Sequence, residues 1–298
     1  MAFIGACVGG SDSYYKVSGG DCVNVKHDSS CGGRIRAFYE SNVEMEWARL
    51  ERHRTEFALT ARAFEEFMHP SSVVVDLGSG PGRFSLLLAS LGHKVTLLDI
   101  SEQSLKFAET KAEEQGVRFE ACVCASATDM SMFEDESFDA ALLMGPLYHL
   151  LDASDRELCL TETRRILRSG GLVFATFLLC YAVLRDAAKH EPEWLIDYPE
   201  DARRILEDGI YTFEGQENPP FTDFWSVHPS DVSTIMQRAG FETQALLAQE
   251  GLVSMIDEKI NLLQGEAWEA WVDLNYRCGK DPAIHGGAEH LLYVGRRV

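Results

Sequence analysis

Residues 73–82 read Val73-Val74-Val75-Asp76-Leu77-Gly78-Ser79-Gly80-Pro81-Gly82, and this stretch restricts the fold more than any other. A continuous β-branched run suits a strand buried on both faces of a parallel sheet. It ends at an acid, followed by three glycines at alternate positions. Glycine accepts positive φ and lets a ligand approach the backbone closely, so the turn after the strand can wrap a small molecule. Phe84, Leu87, Leu88 and Leu91 then recur at helical spacing and stop at Gly92, a natural C′ residue. Strand, glycine loop and helix in this order predict the opening of a nucleotide-type binding half-domain.

The spacing narrows the nucleotide. A dinucleotide fingerprint needs G-x-G-x-x-G, whereas here the pattern is G-x-G-x-G and Arg83 stands at the third glycine position. Asp76, two residues before Gly78, would repel a pyrophosphate but can hold an ammonium group. A second apolar run, residues 94–100, closes with Asp99 and Ile100, and Asp99 lies 23 residues after Asp76. An acid at about that distance from the loop is placed to accept hydrogen bonds from ribose hydroxyls. An amino-acid end at Asp76 and a ribose at Asp99 together describe S-adenosylmethionine (SAM).

With these residues in view, the chain from about residue 38 to 298 resembles the class I SAM-dependent methyltransferases. Residues 76–82 are similar to the family's first motif and Asp99 to its ribose-binding acid. Residues 133–139 resemble the approach to strand four, and residues 166–172 resemble the helix, tight turn and start of strand five. The resemblance implies an α/β, doubly wound Rossmann-like sheet of seven strands, order 3-2-1-4-5-7-6 with strand 7 antiparallel, carrying N-terminal helices and a cap insertion. It implies that Asp76, Gly78, Ser79, Gly80, Gly82, Asp99, Ile100, Ser126, Ala127 and Met144 bind the cofactor. One departure is visible: Ala125-Ser126-Ala127 replaces the Gly-Asp-Ala found in many relatives after strand three, so Ser126 stands where an acid often meets the adenine amino group.

Composition bounds the partners. At 298 residues and 46% hydrophobic, one α/β domain with insertions can bury a full core. A formal charge of −20 disfavours polyanions, because nucleic-acid and anionic-membrane binding draw on Lys and Arg. No apolar run approaches the roughly 20 residues of a membrane span. Residues 1–7 lack the positive start of a signal peptide, and eight cysteines in a chain of this size do not require disulfides. The expectation is a reduced, cytoplasmic protein acting on a small-molecule acceptor, with no nucleic-acid or membrane partner.

Residues 1–35, rich in Gly, Ser and Cys, read as a flexible leader in which Cys7, Cys22 and Cys31 match no zinc spacing. The methyltransferase domain is then residues 36–298, opened by lid helices over 36–70. Trp47, Leu50, Phe57, Ala61, Phe64 and Met68 follow one helical seam over one or two helices, interrupted by Arg54. Arg54 is placed either to clamp a carboxylate of the cofactor or acceptor, or to reach solvent or a structural acid. Strands are predicted at residues 117–125, 139–144, 172–178, 243–249 and 291–295, and helices at 154–167, 228–240 and 255–276. The last presents Ile260, Leu263, Trp268 and Trp271 as its apolar face. Cys122 and Cys124 share one face of strand three and read as packed thiols. Residues 180–226 form a long insertion with Tyr181, Trp194, Tyr198, Tyr211, Phe213, Phe221, Phe224 and Trp225, read as a cap over the acceptor site. An accessory subdomain held by its own aromatics is the other reading.

Methyl transfer needs alignment of nucleophile, methyl and sulfur, and a base only where the acceptor must lose a proton first. The candidate catalytic residues follow strand four in Met144-Gly145-Pro146-Leu147-Tyr148-His149-Leu150. The segment is not the Asn/Asp-Pro-Pro-Tyr/Phe motif of amino-group nucleic-acid methylases. It resembles a Gly-Pro-Leu-Tyr-His-Leu motif of small-molecule members. His149 reads as a base or an orienting group, or as a helix cap. Tyr148 reads as a cover for the sulfonium or a hydrogen-bond donor. His228 is a third candidate, either lining the acceptor pocket or serving its own helix terminus, and Glu250-Gly251 is a weaker one. No metal is expected. The reading is O- or N-methylation of a small organic acceptor. The alternatives are a SAM-binding regulator or scaffold without turnover, or a protein or RNA methyltransferase.

Overall fold

A computed structural model of the chain describes residues 13–14, 24–25, 30–213 and 221–298. Cys7 and Cys22 lie outside the described residues, as does the side chain of Cys31. Seven strands form one sheet: β1 (Val73–Leu77), β2 (Lys94–Asp99), β3 (Ala121–Cys124), β4 (Phe138–Leu143), β5 (Leu167–Leu178), β6 (Phe241–Ala248) and β7 (His290–Arg297). Their order is 3-2-1-4-5-7-6. The first five pair in parallel, and β7 inserts antiparallel between β5 and β6. This is the mixed, mostly parallel sheet that the sequence predicts.

The β-branched run of β1 is explained by burial on both sides. Val75 and Leu77 join one core with Leu98, Leu143 and Phe177, while Val74 joins the other with Leu97, Leu142 and Phe174. Side chains alternate along a strand, so only an unbroken apolar run satisfies two covered faces. Burying one such side chain contributes ~1.5–3 kcal/mol relative to exposure. The first face is covered by α7 (Ala153–Ile166) and α11 (Val232–Arg238), and the second by α3 (Arg54–Phe67), α4 (Arg83–Ser90), α5 (Glu102–Gln115) and α12 (Gly265–Gly279). Cys122 and Cys124 pack in the second core.

The N-terminal region departs from the predicted leader, while Leu50, Phe57, Phe64 and Met68 of the predicted seam pack on the second core. α1 (Ser30–Ser41) already begins inside residues 1–35, and α2 (Val43–Arg52) and α3 follow as separate helices. The chain breaks at Asn42, whose side chain bonds the Phe38 carbonyl, and again at His53. At the second break Arg54 turns to the carbonyls of Asn261 and Leu263 and lies 3.8 Å over the Trp268 ring. Arg54 is thus engaged by these carbonyls and by Trp268.

Asn261 also explains why the helix predicted over 255–276 starts only at Gly265. Its side chain bridges Thr55, Arg52 and Asp257, holding residues 254–262 as turns against the start of α3. Trp268 is buried as expected, whereas Trp271 is 36% exposed and leaves the apolar face. α11 starts at Val232 rather than residue 228, because the His228 ring and carbonyl accept backbone N–H groups in a turn before it.

The insertion folds as α8 (Cys180–His190), α9 (Trp194–Asp197), α10 (Pro199–Glu207) and a two-stranded ribbon, Ile210–Tyr211 with Phe224–Trp225. Tyr211 and Phe224 close on Cys180 and Ile205, with Trp194 and Phe213 packed against them. No helix among the described residues is long and apolar enough to cross a membrane.

Candidate functional site

A cavity of about 870 Å³ opens at the carboxyl ends of β1, β2 and β4. The glycine loop forms one wall. Gly78 and Ser79 donate their N–H groups to the Leu98 carbonyl, and Gly80 donates to the Asp99 carboxylate at 2.7 Å. The loop is thus pinned to the end of β2. Gly80 has φ +51, and a Cβ there would meet nothing within 4 Å, so the backbone lies open for a ligand to approach.

Asp76 is buried at the base of this loop, along the cavity. One carboxylate oxygen accepts from Ser85 at 2.6 Å, and the other, Oδ1, has no partner among the described residues. Burial pushes its pKa up to about 7, against the Ser85 hydrogen bond. An orphaned acceptor on a cavity wall fits a ligand that brings a donor, above all a cationic one. Asp99 accepts Gly80 N–H on one oxygen and Ser101 N–H on the other, which leaves further lone pairs for hydroxyls. Burial raises it to about 6.

Ser79, Ile100, Ser126, Ala127 and Met144 also line the cavity. Ser126 does so with its hydroxyl engaged by Thr128, through both the side chain and the backbone N–H. Gly82 is a correction. It is absent from the lining because it serves α4 as N-cap, where a Cβ would come within 2.8 Å of the Ala108 Cβ.

At the far end the short helix α6 (Pro146–His149) delivers Tyr148 and His149 to the same cavity. His149 is 8% exposed, and burial pushes it down to about 4, against the carbonyl and carboxylate of Asp223. Its Nε2 lies 2.6 Å from the Tyr39 hydroxyl, and its Nδ1 faces Thr222 Oγ1 at 3.0 Å and the Asp223 carbonyl at 3.3 Å. Tyr148 is pushed up to about 12 by burial, with Arg49 opposing.

Two expectations fail here. His228 is exposed, bonds Tyr181 and Ser230, and stands outside the cavity. Its ring is committed to the turn before α11. Glu250 is 2% exposed and also lies off the cavity lining, bonding His290 at 2.8 Å. Among the described residues of 180–226 none lines the cavity, and Tyr211, Phe224, Trp194, Phe213 and Phe221 pack in a small core beside it. The returning segment Phe221–Asp223 backs His149. α1 and α2, mostly within the span read as lid helices, line the cavity through Ile35, Tyr39, Glu46 and Arg49.

Arg49 and Tyr39 are the pocket residues that sequence reasoning missed. Arg49 makes two hydrogen bonds, of 2.8 and 3.0 Å, to buried Glu56, and Glu56 lies beside His290 and Glu250. Against the cost of burial, Arg49 and His290 hold Glu56 below the usual carboxylate range. An arginine seven positions before a glutamate was the available signal, but the helix break between them hides the pairing.

The sequence family described as "Methyltransferase domain" matches residues 75–175, the span from the first to the fifth strand. The ubiquinone biosynthesis O-methyltransferase of Parvibaculum lavamentivorans is 30% identical over 213 residues, covering 65% of this chain and 81% of that protein. The chain belongs to the SAM-dependent methyltransferases. A second relative, the sarcosine/dimethylglycine N-methyltransferase of Halorhodospira halochloris, is 35% identical over 103 residues, covering 34% of this methyltransferase and 36% of the relative.

Solved structures show the same fold. A SAM-dependent methyltransferase from Methanosarcina mazei matches 79% of the chain and 97% of its own, with a TM-score of 0.56 and 18% identity. The 1,6-didemethyltoxoflavin-N1-methyltransferase of Burkholderia thailandensis matches 96% of the chain and 99% of its own, at 0.57 and 14%. SAM is accordingly the methyl donor of this enzyme. The orphaned Asp76 oxygen, the open face at Gly80 and the free lone pairs of Asp99 fit it.

Proposed function

We propose that the methyltransferase transfers the methyl group to an oxygen or nitrogen atom of a small organic acceptor held at the Tyr148–His149 end of the cavity. The observation that carries this reading is a single cavity joining Asp76 and Asp99 to Tyr148 and His149. When bound, SAM supplies a methyl group made electrophilic by its sulfonium. In this reading Asp76 takes the ammonium of the amino-acid end, Asp99 takes the ribose hydroxyls, and Ser126 and Ala127 border the adenine. Met144 borders the reacting centre, and Tyr148 covers it with an aromatic face. His149, neutral and fixed in one tautomer, orients the acceptor and receives its proton. α1 and α2 exclude water from the reacting end.

A small acceptor agrees with a cavity of about 870 Å³, with the −20 formal charge and with the names of the O- and N-methylating relatives. Radiolabelled SAM supplied with a cell extract, split into macromolecules and small molecules, tests it. Label is expected in the small-molecule fraction, and label confined to protein or RNA would overturn the reading. Asp99→Ala is expected to weaken SAM about tenfold or more in calorimetry, since it removes hydrogen bonds to a charged group.

A further inference from the structure

Tyr39 and His149 meet where the lid closes on the cavity, and both line it. Thr222 donates its hydroxyl proton to the Asp223 carbonyl, so its oxygen is left to accept from His149 Nδ1. Nδ1 therefore carries the hydrogen, Nε2 is bare, and the Tyr39 hydroxyl donates to Nε2 across 2.6 Å. A phenol in this state still has lone pairs to receive another proton, and its own is already aimed at a base.

We infer that Tyr39 is a catalytic residue that takes the acceptor's proton while passing its own to His149 Nε2, and that the methylated atom is a phenolic hydroxyl oxygen. The inference rests on His149 as the proton-handling group proposed above. A hydroxyl is the acceptor that needs such a relay. A neutral amine attacks with its free pair and sheds its proton afterwards, and a carboxylate has none to lose. As the acceptor oxygen bonds to the methyl carbon, the sulfonium C–S bond breaks and sulfur keeps the pair. The acceptor's proton moves to Tyr39 and the Tyr39 proton to His149. The positive charge lost at sulfur thus reappears on the imidazole, which returns the proton to water as products leave.

The surroundings suit a planar ring. Tyr148 and Tyr39, which both line the cavity, hold their rings 4.6 and 5.3 Å from that of His149 in edge-to-face packing, an arrangement favourable among aromatic rings. Arg34, on the same helix as Tyr39, pairs with Asp223, so the contact that docks α1 also fixes the segment orienting His149.

The test compares full-length wild type, Tyr39→Phe, His149→Gln and the double variant, using radiolabelled SAM and a small-molecule cell extract. The extract is used untreated and after reductive alkylation of its amines with formaldehyde and borohydride. Labelling is expected to survive amine blocking. Tyr39→Phe is expected to lower the rate about 100-fold or more with SAM affinity nearly unchanged, and the double variant to be no slower than the slower single one. Nitrogen-15 histidine NMR adds a readout free of turnover: wild type should show a bare, hydrogen-bonded Nε2, and Tyr39→Phe the same tautomer without that hydrogen bond. Label lost on amine blocking overturns the hydroxyl acceptor. A Tyr39→Phe rate equal to wild type, with His149→Gln crippled, overturns the relay and leaves His149 its role. Full rates in both single variants remove the underlying reading as well.

Discussion

Gly78 lies so close to Pro146 that a Cβ on the glycine would sit 2.9 Å from the proline Cδ. The loop at the end of β1 and the turn that delivers Tyr148 and His149 are thereby one packed unit. Gly78→Ala would also force φ +74 on a residue with a side chain, which costs about 1–2 kcal/mol before any clash. Both ends of the cavity would shift together. The expected outcome is a lower melting temperature with SAM affinity and turnover reduced in parallel. Intact turnover with weakened SAM would show that the two ends are not coupled.

SAM binding should depend on pH through Asp76. Burial holds its carboxyl near 7, and an ammonium ligand favours the ionised form. Affinity is therefore expected to fall as pH drops below 7, by up to about tenfold per unit, since the proton must leave before the cation binds. Above about pH 8 the ligand's own amino group deprotonates and affinity falls again. Asp76→Asn should flatten the acid limb in calorimetric titrations, and a variant that keeps the wild-type slope assigns the linkage elsewhere.

Glu56 neutralises Arg49 under the lid. Glu56→Gln leaves the Arg49 guanidinium with only the longer 3.8 Å contact to Glu46, and breaking a buried pair costs about 3–5 kcal/mol. The melting temperature should fall sharply. The double variant Arg49→Met with Glu56→Leu should recover most of the stability without recovering turnover. Recovery of both would make the pair a packing element alone.

His149 should make folding acid-sensitive. Its pKa is about 4 in the folded chain and near 6.5 when unfolded. Above 6.5 both states are neutral and nothing changes. As pH falls from 6.5 to 4 the unfolded chain binds a proton that the folded chain refuses, and stability drops by on the order of 3 kcal/mol. His290 has the opposite sign. Against burial, Glu250 holds it up at about 9, so its contribution is present below 6.5 and lost as pH rises through 9. Urea unfolding of wild type and His149→Gln between pH 4 and 7 separates the two. Parallel curves in that window would exclude His149 as the cause.

Sequence by itself determined the sheet and the cofactor wall. A strand covered on both faces must be continuously apolar, a loop that admits a ligand needs glycine, and both signals are local, so residues 73–82 could be read directly. Asp76, Gly78 and Gly80 line the cavity for that reason, and Asp99, Tyr148 and His149 line it with them. Gly82 and His228 do not, because a glycine needed for packing against Ala108 and a histidine needed to cap a turn look the same in sequence as ligand-binding ones.

Only the tertiary structure decided what closes the acceptor end. The insertion packs Tyr211 and Phe224 in a small core of its own, while α1, read from sequence as the end of a leader and the start of the lid helices, lines the cavity. Tyr39 meets His149 from 110 positions away, and Arg49 meets Glu56 across a helix break. Such contacts follow from how helices dock on the finished sheet, and no spacing along the chain encodes them.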